Sequence, residues 1–348
     1  MNILDKRDIS SLTRLTGEAS NVTIIVHMHP DGDAVGSGIA MLAYLISTGK
    51  DAALILPDRC PASLSFLTDG RYRDNVIVYG DHPEKAADRI LSCDLIICQD
   101  FNSFARAGEA GEKIAESKAV KVLIDHHLDP DRSCFDLCFS ETEVSSTAEL
   151  LYNILMSLPE IGHDARKLPL DTATALMTGM TTDTNNFANS VFPGTLTMAS
   201  ELLAAGVDRD MILENTFNSY KESRIHLMGY LLDRCIRITP DGVAYMILKK
   251  TAIRKFSVQD GDTEGFVNIP LCAGNVKMSI FLKEDGDRFR VSIRSKKGIS
   301  ANRIAKEFFN GGGHELASGG KLMIPDDVKN AGEAAAYIEK VTHIFMNR

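Results

Sequence analysis

The chain has 348 residues, with 38 Lys/Arg against 47 Asp/Glu (formal net charge −9), 44% hydrophobic and 24% charged residues. That length allows about two ordinary domains, and that balance excludes a disordered, collagenous or coiled-coil chain. Apolar runs stop short of the ~18 residues a membrane span needs. The first residues, Met1 to Asp8, lack the apolar stretch and cleavage site of a secretory signal, so a cytoplasmic protein without a membrane partner is expected. The seven cysteines, Cys60, Cys93, Cys98, Cys134, Cys138, Cys235 and Cys272, include no Cys-x-x-Cys pair. This argues against a disulfide framework or a thiolate zinc site, and most are expected to be buried thiols. Charge is uneven along the chain: residues 236–348 hold 18 Lys/Arg to 13 Asp/Glu (+5), and the preceding residues 20 to 34 (−14). An acidic half beside a mildly basic one suits a metal-binding domain paired with an anion-holding one, and equally suits two unrelated solvated surfaces. The net charge disfavours a large footprint on duplex nucleic acid.

In chain order, Val22–Val26 reads as a strand and Ala34–Thr48 as a helix. Strands are expected again at Ala52–Leu56, Asn75–Tyr79, Asp94–Cys98 and Lys121–Asp125. Near-continuously apolar strands separated by helical patterns predict an α/β domain, a parallel sheet with helices on both faces. Ser145–Leu158, Leu170–Thr181 and Thr195–Ala205 read as helices, and Asp208–Asp233 as a helical connector. Beyond it the pattern alternates, predicting strands at Val243–Leu248, Lys277–Leu282 and Arg288–Ile293, with a hairpin turn at Asp285-Gly286-Asp287. A short helix, Ser300–Phe308, leads into a glycine cluster. The division is therefore 1–207, a linker over 208–235, and a smaller α/β domain over 236–348.

The strongest chemical signal is His27-Met28-His29-Pro30-Asp31-Gly32-Asp33, directly after the first strand. Two carboxylates two residues apart and an imidazole four before the first can converge on a metal at a strand-to-helix turn, the end of a parallel sheet where such folds place ligands. A helix cap by one Asp, helped by Pro30 and Gly32, is the plainer alternative. Asp100 ends the next apolar strand, where a turn or cap role serves as well. Asp125-His126-His127 ends another; adjacent residues of an extended chain point to opposite sides, so one histidine can meet a metal and the other a substrate. A polar loop is the alternative there. Asp183 follows the apolar helix from Leu170. Together these offer oxygen and imidazole donors without thiolate, a set suited to Mn²⁺ or Mg²⁺, two of which ~3.5–4 Å apart would clamp a phosphate.

In this order, His27-x3-Asp31-x-Asp33, Asp100, Asp125-His126-His127 and Asp183 resemble the four motifs of the DHH phosphoesterases. Glu264 to Asn268, Ser292-Ile293-Arg294-Ser295 and Gly311-Gly312-Gly313-His314 resemble the associated DHHA1 domain, so the resemblance covers essentially the whole chain. Domain pairing and length look most like the bacterial nano-RNases that also dephosphorylate 3′-phosphoadenosine-5′-phosphate (pAp), a group that includes proteins named exopolyphosphatase-related. The resemblance implies a two-manganese site, with magnesium as the alternative. His27 and Asp31 would hold one ion, Asp33, His126 and Asp183 the other, and Asp100 would bridge. His127 would orient the phosphate or protonate the leaving group, and Asp125 would hold an imidazole from behind. Gly311, Gly312, Gly313, His314 and Arg294 would bind substrate: glycines let backbone approach a phosphate, and Arg294 suits a bidentate contact. Arg303 and Lys306 either face the cleft or form a solvated helix face. Ser145-Ser146-Thr147 resembles a family segment near the metals and equally reads as a helix cap.

Four positions depart from the family pattern: His29 where Asn is frequent, Asn185 where Gly is, and Glu315 and Ser318 after His314. They bear on substrate preference rather than hydrolysis. The implied activity is hydrolysis of short oligoribonucleotides and of pAp to AMP. Turnover of pApA or cyclic di-AMP, and a non-catalytic nucleotide-binding protein, are the competing readings. The resemblance leaves a homodimer open.

Overall fold

The computed structural model describes residues 4–219, 221–259 and 261–348. The chain divides after Ser219 into two compact units. The first is built on six strands: β1 (Asn21–Ile25), β2 (Asp51–Leu56), β3 (Val76–Val78), β4 (Leu95–Gln99), β5 (Val120–Asp125) and β6 (Leu137–Ser140). All neighbours are parallel, in the order β3-β2-β1-β4-β5-β6. The helices are α1 (Lys6–Glu18), α2 (Gly32–Ser47), α3 (Ser65–Thr68), α4 (Pro83–Ser92), α5 (Glu109–Glu116), α6 (Thr147–Met156), α7 (Leu170–Asp183), α8 (Pro193–Ala204) and α9 (Arg209–Thr216).

The apolar strands are buried on both faces because alternate residues serve different cores. Val22, Ile24, Leu95, Ile97, Val122 and Ile124 pack with buried residues of α2, α6 and α7. Ile25, Ile96, Cys98 and Leu123 pack with Ala86 and Ile90 of α4 and Ala110 and Ile114 of α5. Each fully buried Ile or Leu contributes roughly 1.5–3 kcal/mol, which fixes the register. Helix α2 carries glycines that intrinsic propensity disfavours by ~1 kcal/mol each. Packing overrides this: a Cβ on Gly36 would lie 2.7 Å from the Gly179 backbone, so α2 and α7 touch almost backbone to backbone.

The second unit carries α10 (Glu222–Tyr230), which ends in a π-helical turn over Leu231–Cys235, then β7 (Arg237–Ile238), β8 (Val243–Leu248) and α11 (Lys250–Lys255). It continues through β9 (Met278–Asp285), β10 (Arg288–Ser295), α12 (Ala301–Phe308), β11 (Gly312–Gly313), β12 (Ala317–Met323) and α13 (Ala334–Met346). Its sheet is mixed, ordered β11-β12-β10-β9-β8-β7, with β8 and β9 parallel and the other neighbours antiparallel. Val243, Ile280, Val291 and Ile293 pack with α12 and α13, while Met246, Leu248 and Phe281 pack with Leu227 of α10 and Ala252 of α11. The α/β class is as expected.

Several details differ from expectation. The 208–233 segment is two helices, α9 and α10, separated at residues 217–221, of which Tyr220 lies outside the described residues. Only Cys93 and Cys98 of the seven free cysteines are buried; Cys138 lies on the edge strand β6, Cys134, Cys235 and Cys272 in short helical turns, and Cys60 in a loop. Helix α7 runs to Asp183, which therefore ends a helix. No helix among the described residues is long and apolar enough to cross a membrane.

Candidate active site

Strand β1 leads to β2 on one side and β4 to β5 on the other, so the sheet order reverses between β1 and β4. A crevice opens at the carboxyl ends of strands at such a point, because the connecting helices depart in opposite directions. Four site residues of the first unit are delivered there by strand ends and the helix that follows. His27 lies just past β1, Asp100 just past β4, Asp125 ends β5, and Asp31 caps α2. The backbone of Asp100 is left-handed, at φ 63°, a conformation that L residues seldom adopt and that costs of order 1 kcal/mol or more. Its carboxylate becomes the hub of the cluster.

His27 Nε2 stands 3.3 Å from Asp100 Oδ2 and 3.7 Å from Asp31 Oδ1. Its Nδ1 is 2.8 Å from the Met28 carbonyl, which can only accept, so Nδ1 carries a proton and Nε2 faces the carboxylates. His126 Nε2 lies 3.8 Å from Asp33 Oδ2, 3.7 Å from Asp100 Oδ1 and 3.6 Å from Asp183 Oδ2. His127 Nδ1 donates to Asp125 Oδ1 at 2.7 Å and lies 3.7 Å from Asp100 Oδ1. The two histidines do not diverge as an extended chain would require. Strand β5 ends at Asp125, and the rings meet edge to face with centroids 5.0 Å apart.

Asp31 does act as the helix cap, with Oδ1 accepting from Asp33 N and Ala34 N at 3.1 Å. It also belongs to the cluster, so the two readings coexist. Asp33 is gripped from outside its own helix: Thr147 N donates to its Oδ2 at 2.7 Å and Ala148 N to its Oδ1 at 2.9 Å. Thr147 Oγ1 donates to Asp100 Oδ1 at 3.0 Å. Ser146 is the cap of α6, accepting from Glu149 N. The Ser145–Thr147 segment is therefore both a cap and a partner of the carboxylates, which the sequence left as alternatives.

Burial opposes charge throughout the cluster; charged neighbours overcome it at His27, Asp100 and His127, and it prevails at Asp33 and His126. For His27, burial disfavours the imidazolium, but Asp100 and Asp31 outweigh it and push the pKa up to about 10. Burial and then the charges of Asp100, Asp183 and Asp31 push the Asp33 carboxyl well above the usual range. Burial would raise Asp100 too, yet His27 and the other imidazoles hold it low. Burial and the neighbouring His127 lower His126, whereas Asp125 and Asp100 raise His127 against its burial. Arg106, of the Phe104–Ala107 turn, also acts on His127 and had no motif to mark it.

The donors fit a pair of hard divalent cations. His27, Asp31 and Asp100 offer atoms within 4.8 Å of one another, as do Asp33, Asp100 and His126, and the two sets share Asp100. Donors bound ~2.1 Å from one cation stand ~3–4 Å apart, the spacing seen here. Asp33 beside Asp100, Asp183 and Asp31 is a like-charge crowding that a cation would relieve.

In the second unit, Arg294 lies on β10, half-buried, paired with Ala317 of β12. Gly312 and Gly313 form β11 and pair with Gly319 and Ser318. The arginine and the glycines thus flank one strand, with His314 N donating to Ala317 O at 2.8 Å. A Cβ on Gly311 would fall 2.0 Å from Gly319 O, and one on Gly313 (φ 138°) 2.8 Å from Ala317 O. One on Gly312 would meet only Lys306 Cε, at 3.8 Å. The departures find local roles: Ser318 Oγ donates to His314 O, Glu315 accepts from Ser300 Oγ, His29 N donates to Asp58, and Asn185 adopts φ 47°, which Asn tolerates. Arg303 lies over the Phe345 ring at 4.7 Å.

Residues 21–180 match the N-terminal domain of the DHH family and residues 242–340 the DHHA1 domain. The chain belongs to the DHH family and is a DHH-family phosphoesterase. It is 34% identical to an exopolyphosphatase-related protein from Bacteroides fragilis, whose crystal structure superposes with a TM-score of 0.90 over 100% of this chain and 98% of that one. It is 26% identical over 310 residues to the bifunctional oligoribonuclease and PAP phosphatase NrnA of Bacillus subtilis, covering 88% of this chain and 91% of NrnA. It is 25% identical to the cyclic-di-AMP phosphodiesterase GdpP of the same organism, covering 87% of this chain and 45% of GdpP.

Proposed function

We propose that the protein acts in the cytoplasm on short oligoribonucleotides and on pAp, releasing AMP, with two manganese ions or magnesium in their place. The observation that carries this is the pair of donor sets meeting at Asp100. His27 and Asp31 would hold one ion, Asp33, His126 and Asp183 the other, and Asp100 would serve both. When bound, such a pair neutralises phosphoryl charge and makes water nucleophilic at neutral pH. Asp125 fixes the His127 ring through Nδ1, leaving Nε2–H to protonate the departing oxygen. The Asp125 and Asp100 carboxylates raise the basicity of His127 against its burial, which favours the imidazolium that carries both ring protons. Arg294 takes a phosphate as a two-toothed donor, and the Gly311–His314 segment offers backbone at close range. The proposed functional division is 1–207 for catalysis, 208–235 as linker and 236–348 for substrate, although within the linker α9 packs into the core of the first unit and α10 into that of the second.

Incubation of the purified protein and Mn²⁺ with pAp, pApA and a five-nucleotide RNA tests this. AMP from pAp together with shortened RNA is the expected result. The similarity to GdpP favours one second reading, turnover of a cyclic-dinucleotide product, and hydrolysis of pApA alone would select it.

A further inference from the structure

Glu149 lies in the first turn of α6, buried, and is absent from the donor sets above. Its Oε2 accepts from Ser145 N at 2.9 Å, Ser145 Oγ at 2.5 Å and Thr195 Oγ1 at 2.7 Å. An ordinary capping box closes on its own helix start. Here the carboxylate reaches a donor 46 residues away, in α8, and so ties the start of α6 to a second helix. Gly194 leaves room for it, since a Cβ there would lie 2.7 Å from Glu149 Oε1. The turn so fixed presents Thr147 N, Ala148 N and Thr147 Oγ1 to Asp33 and Asp100.

We propose that Glu149 is a positioning residue that, through the Ser145–Ala148 turn, holds the Asp33 and Asp100 carboxylates in metal-binding orientation. The inference rests on reading those two carboxylates as metal ligands. Both oxygens of Asp33 are occupied by N–H donors, so its rotation is set by where α6 begins. A carboxylate accepting three hydrogen bonds in a buried setting holds that start more rigidly than a neutral amide, because charge-assisted bonds are roughly twice as strong. Helix α8 thereby acts on the centre without touching it.

Direct Mn²⁺ binding by electron paramagnetic resonance or calorimetry, well below the unfolding temperature, separates this from a purely structural role. Glu149→Gln is expected to weaken Mn²⁺ affinity about 10–100-fold, the range that partners of metal ligands command, and to lower kcat more than it raises KM. Thr195→Val should weaken affinity less, and Thr195→Ser, which keeps the hydroxyl, should restore it. Thr195→Val also carries the test if Glu149→Gln fails to fold. A structural role alone would lower the melting temperature and leave the affinity of the folded protein unchanged. Wild-type affinity in both Glu149→Gln and Thr195→Val overturns the inference. Wild-type protein that binds no Mn²⁺ overturns the metal reading itself, and this inference with it.

Discussion

The two sheets present their polar chemistry in opposite ways. In the parallel sheet, side chains at strand ends and helix starts converge, and His27, Asp33, Asp100 and His126 are all buried. In the mixed sheet, the candidate contacts are a half-buried arginine and a two-residue strand made only of glycine. A side-chain site is defined by which atoms each residue carries, so every ligand can be tested by changing its chemistry. A backbone site is defined by what is missing, so it must be tested by adding atoms.

The largest effect belongs to the hub. Asp100→Asn leaves each donor set one anionic ligand short, and activity should fall by at least ~10³-fold, equivalent to ~4 kcal/mol of lost transition-state stabilisation. Metal titration of the same variant should show both ions weakened. Retention of one tight ion with most of the activity would remove Asp100 from the shared position.

Next comes His127, the proposed proton donor. His127→Ala should reduce kcat by ~10²–10⁴-fold, the usual worth of a positioned general acid. Asp125→Asn should do less to the rate and more to its pH dependence. Because Asp125 makes the largest contribution to raising the His127 pKa against burial, with Asp100 adding to it, its loss should shift the alkaline limb of the kcat profile to lower pH. An unmoved limb would assign that limb to another group.

The glycine segment sharpens the contrast. Gly311→Ala forces a Cβ to within 2.0 Å of Gly319 O, so it should destabilise the second unit by about 1–3 kcal/mol, read by denaturant melts. Gly312→Ala has open space, so stability should hold while KM rises. If Gly312→Ala leaves KM for pAp and RNA unchanged, no phosphate lies against that backbone. A motif that reads as one unit thus divides into positions that the hairpin requires and one that it leaves free.

How much of this was legible follows the same line. His27, Asp31, Asp33 and His126 stood out as imidazoles and carboxylates clustered at a strand-to-helix turn and a strand end, whereas Asp100 and Asp183 were placed mainly by their order in the family pattern, and the structure brings all six together. The parallel sheet was legible from its apolar strands. The grip of Thr147 and Ala148 on Asp33 was not, because it spans more than a hundred residues and depends on how α6 docks. Nor was the left-handed backbone of Asp100, which no local pattern announces. The histidines do not diverge because β5 ends at Asp125, before the alternation of an extended chain can reach them. The break within the helical connector was not legible because residues 217–221 carry no glycine or proline to mark it.

The smallest effect concerns the protein stripped of metal. His27, raised to about 10 by Asp100 and Asp31 against its burial, binds its proton more tightly folded than unfolded. Its contribution to stability is fully present below the unfolded value of ~6.5 and is lost as pH rises through 10. Asp33, raised by burial and by its carboxylate neighbours, acts with the same sign, whereas Asp100, held low, matters only in acid. The chelated protein should therefore melt at progressively lower temperature from pH 6.5 to pH 9. Added Mg²⁺ should restore more at pH 9 than at pH 6.5, because protons compete less with the cation for the donor atoms as pH rises. Paired thermal melts in chelator and in Mg²⁺ across that range check it. A metal-induced gain that is flat with pH would mean that the carboxylates and His27 are not the groups the cation meets.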